Sequence, residues 1–351
     1  MDSKDTSKAI GVVGAGSFGT AMANILAEKN EAVLLYVRTE AKAEDIQKAR
    51  SSASQSLHPN VAVTNDISKI GEQCEVIFPM VPSAGFRSMM KLLSPTLRPY
   101  HILIHGTKGF DLLAGEKALA AHETLTRDHV RTMSEVIQEE SSVVRVGCMA
   151  GPNLAREIAD RKPAATVIAS QFDEVVQIGQ RLLKTDRFLI YGSGDLIGIE
   201  LCGILKNIIA LGAGTVAGLG LGENAKALFI SRGLVEMVHI GKAMGGNAQA
   251  FLGLAGVGDL IATCSSNLSR NFTVGRRLAE GELIEDIMAD MEEVAEGVKT
   301  IEIIRNLASF YGIRCPITET LFRVIHRQTT VEEAHTYLMK FPFRAEIDFL
   351  D

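Results

Sequence analysis

Lys206 carries its charge in the run Ile199–Gly222, IELCGILKNIIALGAGTVAGLGLG, amid apolar residues and glycines in a stretch that reads as buried helix. A surface lysine can bury its methylenes and keep its ammonium in water, and that is one reading. Asn207 follows directly, however, and the neighbouring positions offer little polar surface. Burial disfavours the ammonium and brings its pKa toward neutrality, where one amine can both give and take a proton. Such a group suits a carbonyl that receives hydride, because the developing alkoxide must be stabilised and protonated.

A second chemistry-bearing stretch, GVVGAGSFGTAMA, spans Gly11–Ala23. Its glycines Gly14, Gly16 and Gly19 follow an apolar strand, Ala9–Val13, and precede a run of helix formers, Phe18–Leu26. That order is the one a dinucleotide requires. The first glycine permits the turn, the second lets backbone approach a pyrophosphate, and the third lets helix pack on strand. A further strand, Ala32–Val37, ends at Arg38, where an acid usually grips the ribose hydroxyls of NAD. A cation there suits the 2′-phosphate of NADPH, or it is simply a solvated arginine.

The third stretch, GLAGVGDLIATCSSNLSRNFTVG (Gly253–Gly275), is dense in small polar residues and holds Asp259, Thr263, Arg270 and Asn271. Arg270 can offer a guanidinium fork to a phosphate, or be an ordinary surface arginine. Asp259 precedes an apolar run and can serve as a helix cap. GTKGF (Gly106–Phe110) and GPNLARE (Gly151–Glu157) each follow a strand, at the carboxyl ends where open α/β sheets bind ligands. Lys108 thereby becomes a candidate contact. His101 and His105 share a short strand and lie about 13 Å apart, too far for one ion. The other histidines are scattered, so no metal site is predicted.

The elements that must position these residues are short apolar runs at Glu75–Val81, His101–His105, Val143–Met149, Ala165–Ala169 and Phe188–Tyr191, separated by helical or turn-forming segments. Their alternation predicts a largely parallel sheet covered on both faces. From Asp195 strand signals nearly vanish, and Asn224–Met244 and Met291–Tyr311 carry apolar residues at helical spacing. The expected fold is therefore α/β: a Rossmann-like, doubly wound domain over 1–194, followed by an all-α domain over 195–351.

The chain has 351 residues, 46% hydrophobic and 22% charged, with a formal charge of −6. That balance argues against nucleic acid as the main partner. Five cysteines without C-x-x-C spacing disfavour a disulfide framework or a zinc site and point to a reducing cytoplasm. The leader MDSKDTSK lacks an apolar core, so no secretory signal is read there. The charge-free run Asn207–Gly222 is short and glycine-broken for a membrane span.

Taken in order, GAGSFGTAMA, VPS (Val81–Ser83), KGF (Lys108–Phe110), GPNLARE, ELCGILKNIIALGAG and GLAGVGDLIATCSSNLSRN resemble the NAD(P)-dependent glycerol-3-phosphate dehydrogenases over nearly the whole chain. The resemblance implies reversible reduction of dihydroxyacetone phosphate to sn-glycerol 3-phosphate, feeding phospholipid synthesis, by a cytoplasmic homodimer that uses NADPH/NADP or NADH/NAD. It implies that Lys206 is the proton donor and acceptor and that Lys108 contacts substrate and cofactor. Arg270 and Asn271 would grip the substrate phosphate, with Gly151, Asn153, Asp259, Thr263 and Ser269 around the substrate. Besides Gly14, Gly16 and Gly19, the residues Ser17, Phe18, Arg38, Ala155, Arg270, Val294 and Glu296 fall where the family contacts its dinucleotide. Ala150 stands where serine is often found, and Asn153 where many bacterial members have serine or threonine. Two other readings remain open: a related two-domain dehydrogenase of a β-hydroxyacid or sugar acid, and a non-catalytic nicotinamide sensor.

Overall fold

The computed structural model describes residues 8–29, 32–49, 57–113, 125–291 and 295–341. The chain divides into two compact units. The first comprises Met1–Thr107, Met133–Met149 and Asn153–Gly194; the second comprises Lys108–Thr132, Ala150–Pro152 and Asp195–Asp351. Two pieces that the sequence assigned to the first domain, the described residues within 108–132 and Ala150–Pro152, thus group with the helices of the second unit. Contacts distant in sequence tie them there: the Lys108 ammonium is bound to Asp259 and reaches toward the Gly151 carbonyl.

In the first unit, strands β1 (Ala9–Val13), β2 (Val33–Tyr36), β3 (Val61–Thr64), β4 (Cys74–Pro79), β5 (Ile102–His105), β8 (Arg145–Ala150), β9 (Ala164–Ser170) and β10 (Phe188–Ser193) form one sheet in the order β10-β9-β8-β5-β4-β1-β2-β3. The intervening β6 (Asp111–Leu112) and β7 (Val130–Arg131) pair antiparallel in the second unit. Strands β3, β2, β1, β4, β5 and β8 pair in parallel, as do β9 and β10. Strand β3 is absent from the sequence reading, because VAVT is only four residues long and half exposed.

Alternate side chains of the central strands feed two cores. Val12, Leu35, Phe78 and Ile104 pack with Met22, Ile25 and Leu26 of helix α1 (Ser17–Ala27). Val13, Ile77 and Leu103 pack with Phe86 and Met90 of α4 (Ser83–Leu93) and with Val136 and Ile137 of α5 (Met133–Glu140). Helices α2 (Glu40–Ala49) and α3 (Ser68–Gln73) come between α1 and α4 in the chain, and α6 (Ala155–Ala159) and α7 (Asp173–Leu183) follow α5. Each fully buried large side chain contributes roughly 1.5–3 kcal/mol, so covering both faces is what stabilises a parallel sheet. Because β1 has β2 on one side and β4 on the other, the strand order reverses between β1 and β4. At such a point a crevice opens beyond the carboxyl ends of the strands.

The second unit is built on α8 (Leu196–Gly218), surrounded by α9 (Gly222–Ala243), α10 (Ala248–Leu252), α11 (Asp259–Cys264), α12 (Arg270–Ala279), α13 (Ile284–Asp290), α14 (Glu296–Tyr311), α15 (Pro316–Ile325) and α16 (Val331–Lys340). By length and composition α8 is apolar enough to cross a membrane, yet 94% of its most apolar window is buried within the protein. Glycines of α8 and α12 allow this burial by letting the two helices approach closely. A Cβ at Gly214 would lie 2.1 Å from the Phe272 carbonyl oxygen, and one at Gly275 would lie 1.8 Å from that of Leu211.

Candidate active site

The glycine turn builds a cradle in the first unit. Gly14, with φ +112°, lies in the region that favours glycine, and a Cβ there would come within 2.7 Å of the Met80 carbonyl oxygen after β4. A Cβ at Gly19 would collide with the Gly14 carbonyl oxygen at 1.9 Å. Gly16 differs, because its Cβ would meet nothing within 4 Å. It occupies the N-cap of α1, no side chain caps the helix, and the first turn holds no acid. The positive end of α1 therefore faces open space above a glycine, which is what a pyrophosphate needs. Phe18 reaches the end of β5, where a Cβ at Gly106 would lie 2.9 Å from its ring. Arg38 lies exposed just past β2, and Ala155 starts α6. The residues present fit a dinucleotide.

The second unit holds the titratable groups. Lys206, midway along α8, is 5% exposed, and its Nζ donates to Asp259 Oδ1 at 2.5 Å and Thr263 Oγ1 at 2.6 Å. The Thr263 hydroxyl donates to the Asp259 backbone carbonyl at 2.6 Å, so a lone pair faces the lysine. Asp259 is the first residue of α11, with Gly258 at the N-cap, and is 1% exposed. Its side chain is therefore no helix cap: Oδ1 accepts from Lys206, and Oδ2 accepts from Lys108 at 2.9 Å. Lys108 Nζ also lies 3.4 Å from the Gly151 carbonyl oxygen. The Lys108 stem passes against Gly203, where a Cβ would lie 3.4 Å from its Cγ and 3.5 Å from Ala150 Cβ. A small residue at 150 suits that passage.

One carboxylate thus clamps two ammonium groups. Burial lowers Lys206 from an ordinary 10.5 to about 7; Asp259 opposes the fall and Lys108 adds to it. Burial pushes Asp259 upward, but Lys108 and Lys206 outweigh it and hold the carboxyl below its usual range. An ammonium with three N–H groups uses two on Asp259 and Thr263, and the third has no partner among the described residues. Near neutral pH this lysine exists in both protonation states, as a proton-transfer group must.

Arg270 is exposed at the start of α12, and Asn271 beside it is 7% exposed. Asn271 Oδ1 accepts from the Gly297 amide at 2.9 Å, next to Glu296, the first residue of α14. Two expected substrate contacts have structural duties. Ser269 caps α12 by accepting from the Phe272 amide at 3.3 Å. Asn153, in the first unit, donates to the Ala165 carbonyl at 3.0 Å and accepts from Thr166 at 2.8 Å, so both ends of its amide brace β9. Val294 lies outside the described residues. The sequence reading assigned nothing to Gly297, although glycine at the second position of a helix was a signal available to it. His101 bonds to the Gly71 carbonyl and His105 to Ser134, and among the described residues no three His, Cys, Asp or Glu side chains gather around a metal position.

The model for the N-terminus of NAD-dependent glycerol-3-phosphate dehydrogenase matches residues 9–176, and the model for its C-terminus matches residues 195–336. The chain belongs to this family. It is 36% identical over 343 residues to the glycerol-3-phosphate dehydrogenase (NAD(P)+) of Teredinibacter turnerae, covering 97% of this chain and 96% of that one. With the enzyme of the same name from Azotobacter vinelandii it shares 36% over 345 residues, covering 97% of both chains. Among solved structures, glycerol-3-phosphate dehydrogenase from Coxiella burnetii superposes with a TM-score of 0.85 at 30% identity, covering 96% of this chain and all of that one.

Proposed function

We propose that this member of the family reduces dihydroxyacetone phosphate reversibly to sn-glycerol 3-phosphate with NADPH or NADH, and that Lys206 carries the proton. The observation that carries the reading is a lysine brought to about 7 and hydrogen-bonded to Asp259 and Thr263, with one N–H left over. A reduced nicotinamide, when bound, supplies the hydride. In the reducing direction Lys206 donates a hydrogen bond to the C2 carbonyl oxygen and then its proton to the alkoxide. Left neutral, it regains a proton from solvent. In the oxidising direction the neutral amine takes the C2 hydroxyl proton. Asp259 holds the lysine in place, and Lys108 supplies a second positive charge toward the developing oxyanion.

The open N-cap of α1 above Gly16 supports binding of the dinucleotide pyrophosphate, and Arg38 beyond β2 supports recognition of a 2′-phosphate. Arg270 and the Asn271 amide are the proposed grip on the substrate phosphate, the largest handle on so small a molecule. A homodimer in a reducing cytoplasm, serving phospholipid synthesis, belongs to the same proposal. Five free, buried cysteines are compatible with a reducing setting. The test is oxidation of NADPH followed by absorbance with dihydroxyacetone phosphate and with dihydroxyacetone. Fast turnover of the phosphorylated ketone and only a slow reaction of dihydroxyacetone are expected, and equal rates on both would refute the phosphate grip.

A further inference from the structure

Asn271 is nine-tenths buried, and the orientation of its amide is fixed from one side. The Gly297 backbone N–H, 2.9 Å from Oδ1, can only donate, so the carbonyl end of the amide must face it. The NH2 end is turned the other way, and no partner for Nδ2 is found among the described residues. A phosphate dianion accepts and never donates. An asparagine held in this sense presents a donor to it, and one flipped by half a turn would present a lone pair and repel it.

The close approach that fixes this sense depends on position 297 having no side chain. A Cβ there would lie 2.6 Å from Asn271 Oδ1 and 2.9 Å from the Asn207 carbonyl oxygen. The second of these is backbone of α8, one residue beyond Lys206, and cannot swing aside. We propose that Gly297 is a positioning residue for substrate recognition: its N–H sets the direction of the Asn271 amide, and its bare α-carbon lets α14 reach both α12 and α8. This inference rests on the reading that Arg270 and Asn271 hold the substrate phosphate. It assigns to α14 a part in choosing phosphorylated over unphosphorylated ketones.

Gly297→Ala keeps the N–H but forces α14 outward by a few tenths of an ångström or more. A misplacement of about 1 Å can cost about a hundredfold, which bounds the loss from above. The KM for dihydroxyacetone phosphate should rise about 10- to 100-fold with kcat within about threefold, because proton transfer at Lys206 is untouched. The slow reaction of dihydroxyacetone should stay within about twofold of wild type, which a general loss of structure would not allow. Should the variant not fold, the wild-type protein still decides the matter: in 15N-glycine-labelled enzyme the Gly297 amide should exchange more slowly when glycerol 3-phosphate is added, and that slowing should vanish in Asn271→Ala. Equal losses on both ketones in Gly297→Ala, or an amide indifferent to glycerol 3-phosphate, would overturn the proposal. Arg270→Ala separates it from the reading beneath: if that variant slowed both ketones alike, the phosphate would be held elsewhere. If Arg270→Ala and Asn271→Ala discriminate and Gly297→Ala does not, only the role of Gly297 fails.

Discussion

Replacing Asp259 by asparagine keeps the shape of the side chain and removes the charge that Lys206 and Lys108 share. In the wild type, burial is the main influence lowering Lys206, Lys108 acts in the same sense, and Asp259 alone opposes them by charge and hydrogen bond. Without the carboxylate every remaining influence is downward. An opposite charge at contact distance moves a pKa by about 1–3, so the value should fall from about 7 by that much. At pH 7.5 the protonated fraction then drops roughly 10- to 1,000-fold, and ketone reduction, which needs the ammonium, drops with it. The loss should recede as the pH is lowered, because acid restores the donor. The limb in the oxidising direction should move toward lower pH as well, since one amine serves both directions. The assay is kcat/KM for dihydroxyacetone phosphate and glycerol 3-phosphate across pH 5–10, which reports the free enzyme. An Asp259→Asn enzyme that folds but keeps the wild-type midpoint would refute the idea that Asp259 sets the protonation of Lys206.

Two further outcomes follow from the same structure. Arg38→Ala should raise the KM for NADPH by about tenfold or more and leave that for NADH nearly unchanged, because only the former carries a 2′-phosphate for the guanidinium to meet; equal effects on both would contradict that role. Lys206→Met should remove a pH dependence from the stability of the apoenzyme. A lysine whose pKa falls from 10.5 in the unfolded chain to about 7 in the fold opposes folding fully below about pH 7, and the penalty fades as pH rises toward 10.5. Denaturant unfolding should therefore show the wild type gaining stability between about pH 7 and 10 while Lys206→Met does not, and parallel pH curves for the two proteins would contradict the lowered pKa.

The parts of this fold that were legible in the sequence are those where one residue type answers a local demand. Gly14 and Gly19 announced the turn because close backbone there excludes side chains, Gly16 because it leaves the N-cap of α1 open, and Lys206 stood out as a cation in an apolar helix. What was not legible depends on partners far along the chain. Lys108 meets Asp259 across 151 positions, and for that reason 108–132 leaves the first unit. Asp259 looked like a cap because local pattern shows where a helix starts, but not that two ammonium groups face its first residue. Asn153 and Ser269 carry polar groups that suit a ligand as well as they suit β9 or the first turn of α12, and sequence alone does not separate those uses. Gly297 passed unnoticed because its importance lies in Asn271 and Asn207, on two other helices.

The central claim is that Lys206 moves the proton, and turnover of Lys206→Ala tests it most directly. A positioned acid/base contributes about 10²–10⁴-fold, and lost stabilisation of the alkoxide adds to that. The variant should fold, as judged by circular dichroism, bind NADPH with nearly wild-type affinity, and reduce dihydroxyacetone phosphate at least about a hundredfold more slowly. Lys206→Arg should not restore activity, because a guanidinium holds its proton near neutral pH. A well-folded Lys206→Ala enzyme with near-normal turnover would contradict the account.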